Sequence, residues 1–338
     1  MGHFIVLKII MKKRILIITM ALDPHADAVI DEIRDLGFDV FRLNTENLLT
    51  EYKFKLYSTK NHWEIILEDS LGRKILIPDE VQSVYYRKPK PPKVDEKIRN
   101  NKAAVEFAES EAFELLKTIY ASREIRWIND PFKIRREQIK YPQLQLAKEC
   151  GLLTPDTIIT NQPEEAMSFF SKHKDSGVIT KSLITTTVNT GKEINHLYSH
   201  LLTEEEFISS YSNVRFAPTM FQKYIHKEVE LRITVIGNTV FACEIDSQSS
   251  LKTIHDWRKE SPFNIPHTLV ELPQEINNSL LIFIQESGLS FGAIDMIKSR
   301  DGDYFFLENN PNGQWYWIEM ITGSPMAKEM ANLLINGH

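Results

Sequence analysis

An Asp-Gly pair between two apolar segments constrains the C-terminal third of the chain more than any other feature. Asp301-Gly302 separates the apolar runs Gly292–Lys298 and Tyr304–Asn310, and Asp-Gly in that context is a strong signal for a two-residue β-hairpin turn. If this pair forms the turn, Asp295 lies directly opposite Glu308. Directly opposed side chains have Cβ atoms roughly 5 Å apart, where two like charges are destabilising.

The opposed carboxylates need a proton or a cation, and Asn310 offers a third oxygen ligand. Asn310 lies two residues beyond Glu308 and therefore projects from the same face of the strand. Two carboxylates and an amide oxygen suit Mg²⁺, which keeps water and phosphate oxygens in its other positions. We therefore expect a magnesium site at Asp295, Glu308 and Asn310. The alternative is an edge hairpin whose acidic side chains lie in water.

The N-terminal third alternates strands and helices, which predicts a small α/β domain with a crevice at its strand ends. Gly37 is a common helix stop. Alternating apolar and polar residues at 53–58 and 63–68 predict an antiparallel pair. The predicted elements are strands at 14–19, 38–43, 53–58, 63–68 and 84–87 and helices at 24–36 and 95–121.

The remaining two thirds contain a further helical part followed by a sheet-rich part. Residues 182–195, with three consecutive threonines, are predicted to form a flexible polar loop. Predicted helices lie at 133–150, 163–172, 273–287 and 324–335, and predicted strands at 158–160, 178–181, 219–225, 230–236, 239–245, 292–298 and 304–310. The fold class is therefore α/β (α+β).

Composition excludes several classes of function. A net charge of −6 on 338 residues argues against a nucleic-acid binder, which needs a basic face. The two cysteines, Cys150 and Cys243, lack metal-ligand spacing, and a reducing cytoplasm fits them best. Residues 4–10 are apolar but too short to span a bilayer, and they precede the predicted first strand as a tag, a mis-set start or an extra strand. We expect a cytoplasmic protein with no membrane partner.

Two lysines are candidates for phosphate binding. Lys140 lies on a predicted helix before Gly151, and Lys181 ends a strand next to the threonine-rich segment. A lysine in such a place can act as a point charge for phosphates, although each taken alone fits a surface residue better. The Gly-x-x-x-x-Gly-Lys-Ser/Thr motif of the P-loop class is absent from the sequence.

The segment from Phe221 to Arg232 is a candidate for nucleotide binding. Its apolar start could hold a flat base through backbone hydrogen bonds, and either Glu228 or Glu230 could bind ribose hydroxyls. Arg232 lies within an apolar run and therefore needs a permanent anion, such as phosphate or carboxylate. The alternative for Arg232 is a structural ion pair with Glu230 or Glu244.

Taken together, these segments resemble the ATP-grasp superfamily of ligases over roughly residues 127–335. The resemblance rests on the helix with Lys140, the strand with Lys181, the segment 221–225, Arg232 and the hairpin of Asp295 and Glu308-Asn309-Asn310. It implies a pre-ATP-grasp domain at 1–125, a central ATP-grasp subdomain at 126–217 and a C-terminal subdomain at 218–338.

Within that superfamily the chain is most similar to the graspetide, or microviridin-type, macrocyclases of ribosomal peptides. The motifs are Tyr85-Tyr86-Arg87-Lys88-Pro89, Asp256-Trp257-Arg258 and the segment 310–317. Such enzymes phosphorylate an Asp or Glu side chain of a precursor peptide. A Thr, Ser or Lys side chain of the same peptide then displaces the phosphate and closes a lactone or a lactam.

The resemblance also implies cofactors, partners and residue roles. It implies ATP and two Mg²⁺ ions, a homodimer, and a precursor peptide with a leader and an acidic, Thr-rich core. Arg232 would stabilise the transferring phosphoryl group, and Arg87, Asp256 and Arg258 would grip the core, with Asp256 as a candidate base. The implied nucleotide-binding residues are Lys140 and Lys181 at the phosphates, Gln222, Lys223, Tyr224 and Ile225 at adenine, and Glu228 at ribose.

Two other functions fit the same residues. One is an ATP-grasp ligase that adds an amino acid such as glutamate to a protein tail or small peptide. The other is a protein that binds ATP without turnover, which the complete metal set disfavours. The acidic cluster Glu204-Glu205-Glu206 could face a basic leader, but acids are favoured at a helix N-terminus in any case.

Overall fold

The structure is a computed structural model that describes residues 13–58, 63–183, 199–247 and 260–337, together with the strand backbones 187–189 and 194–196. The chain forms two compact units. The first comprises the residues up to Phe132 and those from Pro325 onward, and the second comprises Lys133–Ser324. Among the described residues, no helix is long and apolar enough to cross a membrane.

The first unit has a parallel sheet, a smaller antiparallel sheet and covering helices. Its elements are β1 (Arg14–Thr19), α1 (Pro24–Asp35), β2 (Val40–Asn44), α2 (Leu48–Glu51), β3 (Lys53–Ser58), β4 (Trp63–Glu68), β5 (Lys74–Ile77), β6 (Val81–Tyr86), α3 (Lys102–Tyr120), β7 (Arg126–Ile128) and α10 (Met326–Asn336).

The parallel sheet of the first unit has the order β2-β1-β6-β7. Strand β1 is central and apolar, and its residues Ile15 to Ile18 are fully buried. The order reverses direction between β1 and β6, so the loops after these two strands flank the crevice where ligands of doubly wound sheets bind. The predicted α/β class of this region is confirmed. The predicted β1 and the antiparallel pair β3–β4 have the expected bounds.

The last helix of the chain belongs to the first unit. Its terminal carbonyl groups have no partners within the helix, and side chains of β6 bind two of them. Ser83 donates to Leu334 and Gln82 donates to Ile335, each at 2.6 Å. The residues from Pro325 onward thus belong to the first unit, and the predicted domains 1–125, 126–217 and 218–338 stay predictions.

The predicted helix over 133–150 is wrong in one respect, because the chain forms two helices there. These are α4 (Pro131–Glu137), in which the division between the units falls, and α5 (Lys140–Glu149). The cause is Pro142, which has no N–H and whose ring clashes with the carbonyl of the residue four positions earlier in a helix. Pro142 is accommodated in the first turn of α5, and the break places Lys140 at the start of that helix.

The second unit combines a four-stranded sheet, a two-stranded hairpin and a five-stranded sheet. Its elements after α5 are β8 (Thr157–Thr160), α6 (Pro163–His173), β9 (Val178–Lys181), β10 (Thr187–Asn189), β11 (Ile194–His196), β12 (His200–Leu202), α7 (Glu204–Ser210), β13 (Thr219–Lys223), β14 (Lys227–Ile236), β15 (Thr239–Ile245), β16 (His267–Val270), α8 (Gln274–Glu286), β17 (Phe291–Ser299), β18 (Tyr304–Asn310) and α9 (Tyr316–Thr322).

Part of the predicted flexible loop at 182–195 forms strands instead, while residues 184–186 and 190–193 lie outside the described residues. Strands β10 and β11 pair in antiparallel fashion, from Thr187 opposite His196 to Asn189 opposite Ile194. Threonine and other β-branched residues favour extended structure, so the polar composition of this segment concealed a strand signal. The neighbouring sheet has the order β12-β9-β13-β8.

The five-stranded sheet, in the order β16-β15-β14-β17-β18, has an apolar face and a polar face. The apolar face packs on α5 and α8 and includes Ile233, Ile294 and Phe306, all fully buried. Residues of alternate parity project from the other side. Arg232 and Asp295 lie on this second face, which we call the polar face.

The hairpin of β17 and β18 confirms the predicted opposition of Asp295 and Glu308, but its turn differs from the predicted one. Near the turn Ser299 N–H donates to Asp303 O at 2.8 Å, which leaves a three-residue loop ending in Gly302 at φ 91°. Three-residue loops with glycine in the left-handed region are the next most common hairpin type. A bulge next to Asp295 then shifts the register by one residue and restores the predicted pairing.

One buried polar side chain on the apolar face has an unusual environment. Asn309 is 2% exposed, and neither atom of its amide has a hydrogen-bond partner in the part of the chain that the structure describes. The amide fits because the neighbouring strand has Gly292, where a Cβ atom would lie 2.6 Å from Asn309 Oδ1. An unsatisfied buried amide costs about 1–3 kcal/mol.

We expect Asn309→Val to raise the free energy of unfolding by about 1–2 kcal/mol, because valine removes the unsatisfied groups and favours strands. Urea unfolding of the parent and the variant measures the difference. A lower free energy of unfolding in the variant would contradict this expectation and would indicate a partner for the amide.

Candidate active site

A row of directly paired residues crosses all five strands of the C-terminal sheet. It consists of Leu269, Cys243, Arg232, Asp295 and Glu308, each opposite the next. Because directly opposed side chains share one face, Arg232, Asp295 and Glu308 all project from the polar face. The strand pairing therefore brings together three residues that are up to 76 positions apart in the chain, from Arg232 to Glu308.

Each carboxylate of this row is paired with a cation. Arg232 Nη1 lies 2.7 Å from Asp295 Oδ1, and Lys140 Nζ lies 2.5 Å from Glu308 Oε2. Arg232 Nη2 also donates to the carbonyl of Gln314 at 2.9 Å. The repulsion expected between the carboxylates is thus offset within the chain. Ion pairs of this kind also hold the carboxylates in fixed orientations.

Cys243 lies beside Arg232 without competing for its charge. Burial raises the pKa of this thiol to about 12, so it stays protonated near neutral pH. The guanidinium of Arg232 consequently has Asp295 as its anionic partner in the row.

Asn310 lies on the same face of the sheet as Asp295 and Glu308. It pairs with Ala293, two positions beyond Glu308, and is half-buried on the polar face. The oxygen donors of Asp295, Glu308 and Asn310 fit Mg²⁺ by their hard character. The described residues contain no group of three His, Cys, Asp or Glu side chains that could hold a metal ion, so the amide of Asn310 is a necessary part of the candidate set.

The loop after β18 passes close over the polar face because Gly313 has no side chain. A Cβ atom on Gly313 would lie 2.4 Å from the Cβ of Ala293, 2.9 Å from Arg232 Nη2 and 3.0 Å from the Cβ of Asn310. Glycine permits this close approach of the backbone. Gly313 is a residue that the sequence motifs did not indicate by itself, although it lies three positions after the candidate ligand Asn310.

Lys181 and the segment 222–225 meet at the end of β13. Lys181 Nζ donates to Gln222 Oε1 at 3.0 Å, and Gln222 is 1% exposed. The N–H groups of Lys223 and Tyr224 donate to the carbonyls of Asp156 and Gly177. Ile225 N–H has no backbone acceptor among the described residues. Of these three N–H groups it is therefore the one available to donate a hydrogen bond to a bound base.

The two candidate ribose acids differ in position. Glu228 is half-exposed and its carboxylate lies 3.1 Å from Lys298 Nζ. Glu230 lies two residues before Arg232 on the polar face, and the buried Lys227 contacts it at 2.5 Å. Glu230 thus shares a face with Arg232, and the assignment of Glu228 to ribose stays a prediction.

Of the predicted peptide-binding residues, Arg87 lies in the first unit and the other two lie outside the described residues. Asp256 and Arg258 belong to the latter group. Arg87 follows β6 directly and is 1% exposed, at the sheet crevice described above. Its charge acts on Asp23 and His25 of the neighbouring loop and helix.

Asp23 is the buried anion of this crevice. It caps α1, accepting from His25 N–H at 3.2 Å and from Thr19 Oγ1 at 2.5 Å. Burial works to raise the pKa of Asp23, but the hydrogen bonds from His25 and Thr19 and the charge of Arg87 outweigh it and lower the pKa to about 2. Burial also lowers the pKa of His25 below its usual range.

Comparison with known proteins identifies the fold. Residues 14–135 match the family model of the MvdD pre-ATP grasp domain. A RiPP-associated ATP-grasp ligase of Chryseobacterium gregarium, solved with ADP and a leader and core peptide, has a TM-score of 0.89 and 30% identity over 96% of this chain and 97% of that one. No curated protein matches the chain.

Two macrocyclases of Microcystis aeruginosa are also similar. MdnC, bound with its precursor peptide MdnA, has a TM-score of 0.82 and 29% identity over 96% of this chain and 99% of that one. MdnB has a TM-score of 0.75 and 28% identity, over 96% and 100%. The fold and the polar face thus define an ATP-grasp ligase. Within that class, the chain belongs to the family of RiPP-associated ATP-grasp ligases.

We expect Gly313→Ala to lower ATP turnover by about 10- to 100-fold, because a shift near 1 Å in a reacting geometry costs about that much. The added methyl group would clash with the Cβ of Ala293 and must push the loop away from the polar face or displace Arg232 and Asn310. Steady-state kinetics with peptide substrate measure the change. Gly302→Ala is the control, since it strains a distant turn at φ 91° with nothing nearby and should lose stability while keeping turnover.

Asp23→Asn should loosen α1 in a pH-dependent way. A carboxyl with a lowered folded-state pKa stabilises the fold above its unfolded pKa of about 3.8, and this contribution is lost as the pH falls toward 2. Amide hydrogen exchange in α1 should therefore be faster in the variant at pH 6, with the difference shrinking below pH 4. Asp31→Asn, on the exposed side of the same helix, is the control. An equal effect of both variants would refute this role of Asp23.

Proposed function

We propose that the protein is an ATP-dependent macrocyclase of a ribosomal precursor peptide. It activates Asp or Glu side chains as acyl phosphates and closes ω-esters with Thr or Ser, or ω-amides with Lys. The observation that carries the proposal is the polar face, where two carboxylates and an amide lie beside Lys140 and Arg232. Solved relatives of similar sequence hold ADP or a precursor peptide, which supports the same substrates here.

Charge distribution on the polar face suits phosphoryl transfer. Such chemistry needs mainly positioning and electrostatic stabilisation of the transferring group. Arg232 would stabilise that group, and Lys140 and Lys181 would bind the ATP phosphates. Asp295, Glu308 and Asn310 would hold magnesium, which when bound neutralises phosphate charge.

The nucleoside would bind beside β13 and β14. The segment from Gln222 through Lys223 and Tyr224 to Ile225 would contact adenine, with Ile225 N–H as donor. Glu230 takes the ribose hydroxyls in this proposal because it shares the face of Arg232, and Glu228 is the second candidate.

The peptide chemistry proceeds in two balanced steps. A carboxylate oxygen of the peptide attacks the γ-phosphorus of ATP, the bond to ADP breaks, and an acyl phosphate results. A side-chain hydroxyl or amine then attacks the acyl carbon, loses its proton and displaces phosphate. Arg87, Asp256 and Arg258 would bind the core peptide, with Asp256 as base. Two Mg²⁺ ions and a homodimer are parts of the proposal that rest on the family alone.

The test uses a precursor peptide encoded beside the gene, with a leader followed by acidic and Thr- or Ser-rich segments. Incubation with protein, ATP and Mg²⁺ should lower the peptide mass by one water for each crosslink and should produce ADP. Mass spectrometry with fragmentation locates the rings. ATP consumption with addition of a free amino acid would favour the alternative amino-acid ligase, and no ATP consumption would favour a non-catalytic binder.

Asp295→Asn and Glu308→Gln should each lower crosslinking by at least about 100-fold, because each removes an anionic ligand of the proposed magnesium ion, which would neutralise phosphate charge. Asp301→Asn is the matched control, since it changes an exposed carboxylate in the turn of the same hairpin. Near-normal activity of either site variant, with the control unchanged, would overturn the metal assignment.

A further inference from the structure

A glutamine on α5 binds the main chain of β18 between two of the candidate metal ligands. Gln143 Oε1 accepts from Asn309 N–H at 2.9 Å, and Gln143 Nε2 donates to Asn309 O at 2.8 Å. Nε2 also donates to the carbonyl of Glu137, the last residue of α4 before the interruption between the two helices. Gln143 is 3% exposed, so all these contacts are shielded from water.

The position of β18 explains why it needs such a partner. It is the outermost strand of the five-stranded sheet, so its outward N–H and C=O groups have no neighbouring strand. Nearer the turn, Phe306 N–H donates to the carbonyl of Leu153 at 2.8 Å. At Asn309 the side-chain amide of Gln143 provides both the donor and the acceptor that another strand would provide.

Helix α5 thereby contacts two consecutive residues of β18, Glu308 and Asn309. Lys140 pairs with Glu308, and Gln143, one helical turn later, fixes the peptide groups of Asn309. Residues three apart lie on the same side of a helix, so both contacts come from one face of α5. Glu308 and Asn310 flank the fixed residue, and their backbone positions depend on it.

We propose that Gln143 is a positioning residue for the metal site, which sets the geometry of Glu308 and Asn310 through the main chain of Asn309. The inference rests on the proposed function, since it assumes that these side chains bind the metal. Groups that orient metal ligands without touching the metal typically change metal affinity by about 10- to 100-fold when they are altered.

The test compares Gln143→Met with Gln145→Met in the full-length protein. Methionine has a similar shape, but it has no N–H to donate to Asn309 O and no oxygen to accept Asn309 N–H. Gln145 lies on the exposed side of the same helix, and among the described residues its side chain forms a hydrogen bond only with Glu149. Mn²⁺ replaces Mg²⁺ as the probe, and the loss of the free-ion signal in electron paramagnetic resonance measures its binding in the presence of ADP.

Gln143→Met should weaken Mn²⁺ binding in the ADP complex by at least about tenfold, whereas the affinity for ADP without metal stays within about twofold. Turnover of the variant should recover as the Mg²⁺ concentration is raised, which a general loss of folding would not produce. Gln145→Met should match the parent in both measurements. Gln143→Glu keeps the acceptor for Asn309 N–H but loses the donor to Asn309 O, and it carries the test if Gln143→Met does not fold; it should weaken Mn²⁺ binding as well.

The outcomes separate this inference from the function on which it rests. If Glu308→Gln abolishes Mn²⁺ binding and a folded Gln143 variant binds Mn²⁺ like the parent, the positioning role is wrong and the metal site stands. If Glu308→Gln also binds Mn²⁺ like the parent, the metal site itself is wrong and the inference fails with it.

Discussion

The opposition of Asp295 and Glu308 on neighbouring strands is the constraint on which the second unit depends. Two like charges at this spacing repel each other, and each is compensated by a cation from a different element of the fold. Arg232 reaches Asp295 from β14, and Lys140 reaches Glu308 from α5. Charge compensation therefore ties the sheet to the helix before it. The chain after β18 must pass close to the polar face for Gln314 O to accept a hydrogen bond from Arg232. Gly313, which has no side chain, allows this close approach.

The register of this hairpin shows why a sequence can predict a pairing more securely than a turn. A slip of one residue would turn every apolar side chain of a strand away from the core. Met296 and Phe306 must both stay on the apolar face, so the pattern restricts the pairing whatever the loop. The three-residue loop shifts the strand register by one residue relative to a two-residue loop, and the bulge shifts it back by one residue. Their effects cancel before Asp295, which is why the predicted opposition holds.

Other parts of the site depended on contacts that no local pattern records. Gln143 and Asn309 are 166 residues apart, and only the docking of α5 on the sheet edge joins them. Pro142 did carry a readable signal for the start of α5, since it cannot occupy the interior of a long helix. The different environments of Glu228 and Glu230 could not be read from spacing, because the bulge near Lys227 changes the register between them.

Local costs are concentrated in the residues around the end of β18. Asn309 buries an amide that has no partner among the described residues, Gly292 leaves the space that holds it, and two carboxylates share one row. Away from functional sites, sequences seldom keep several such conflicts within a few residues. The compensating contacts are specific and mostly long-range: two cations for the carboxylates, and one glutamine for the edge of the strand. These contacts fix side chains rather than merely fill space. The same interactions that offset the charge repulsion therefore also determine where the carboxylate oxygens of Asp295 and Glu308 lie.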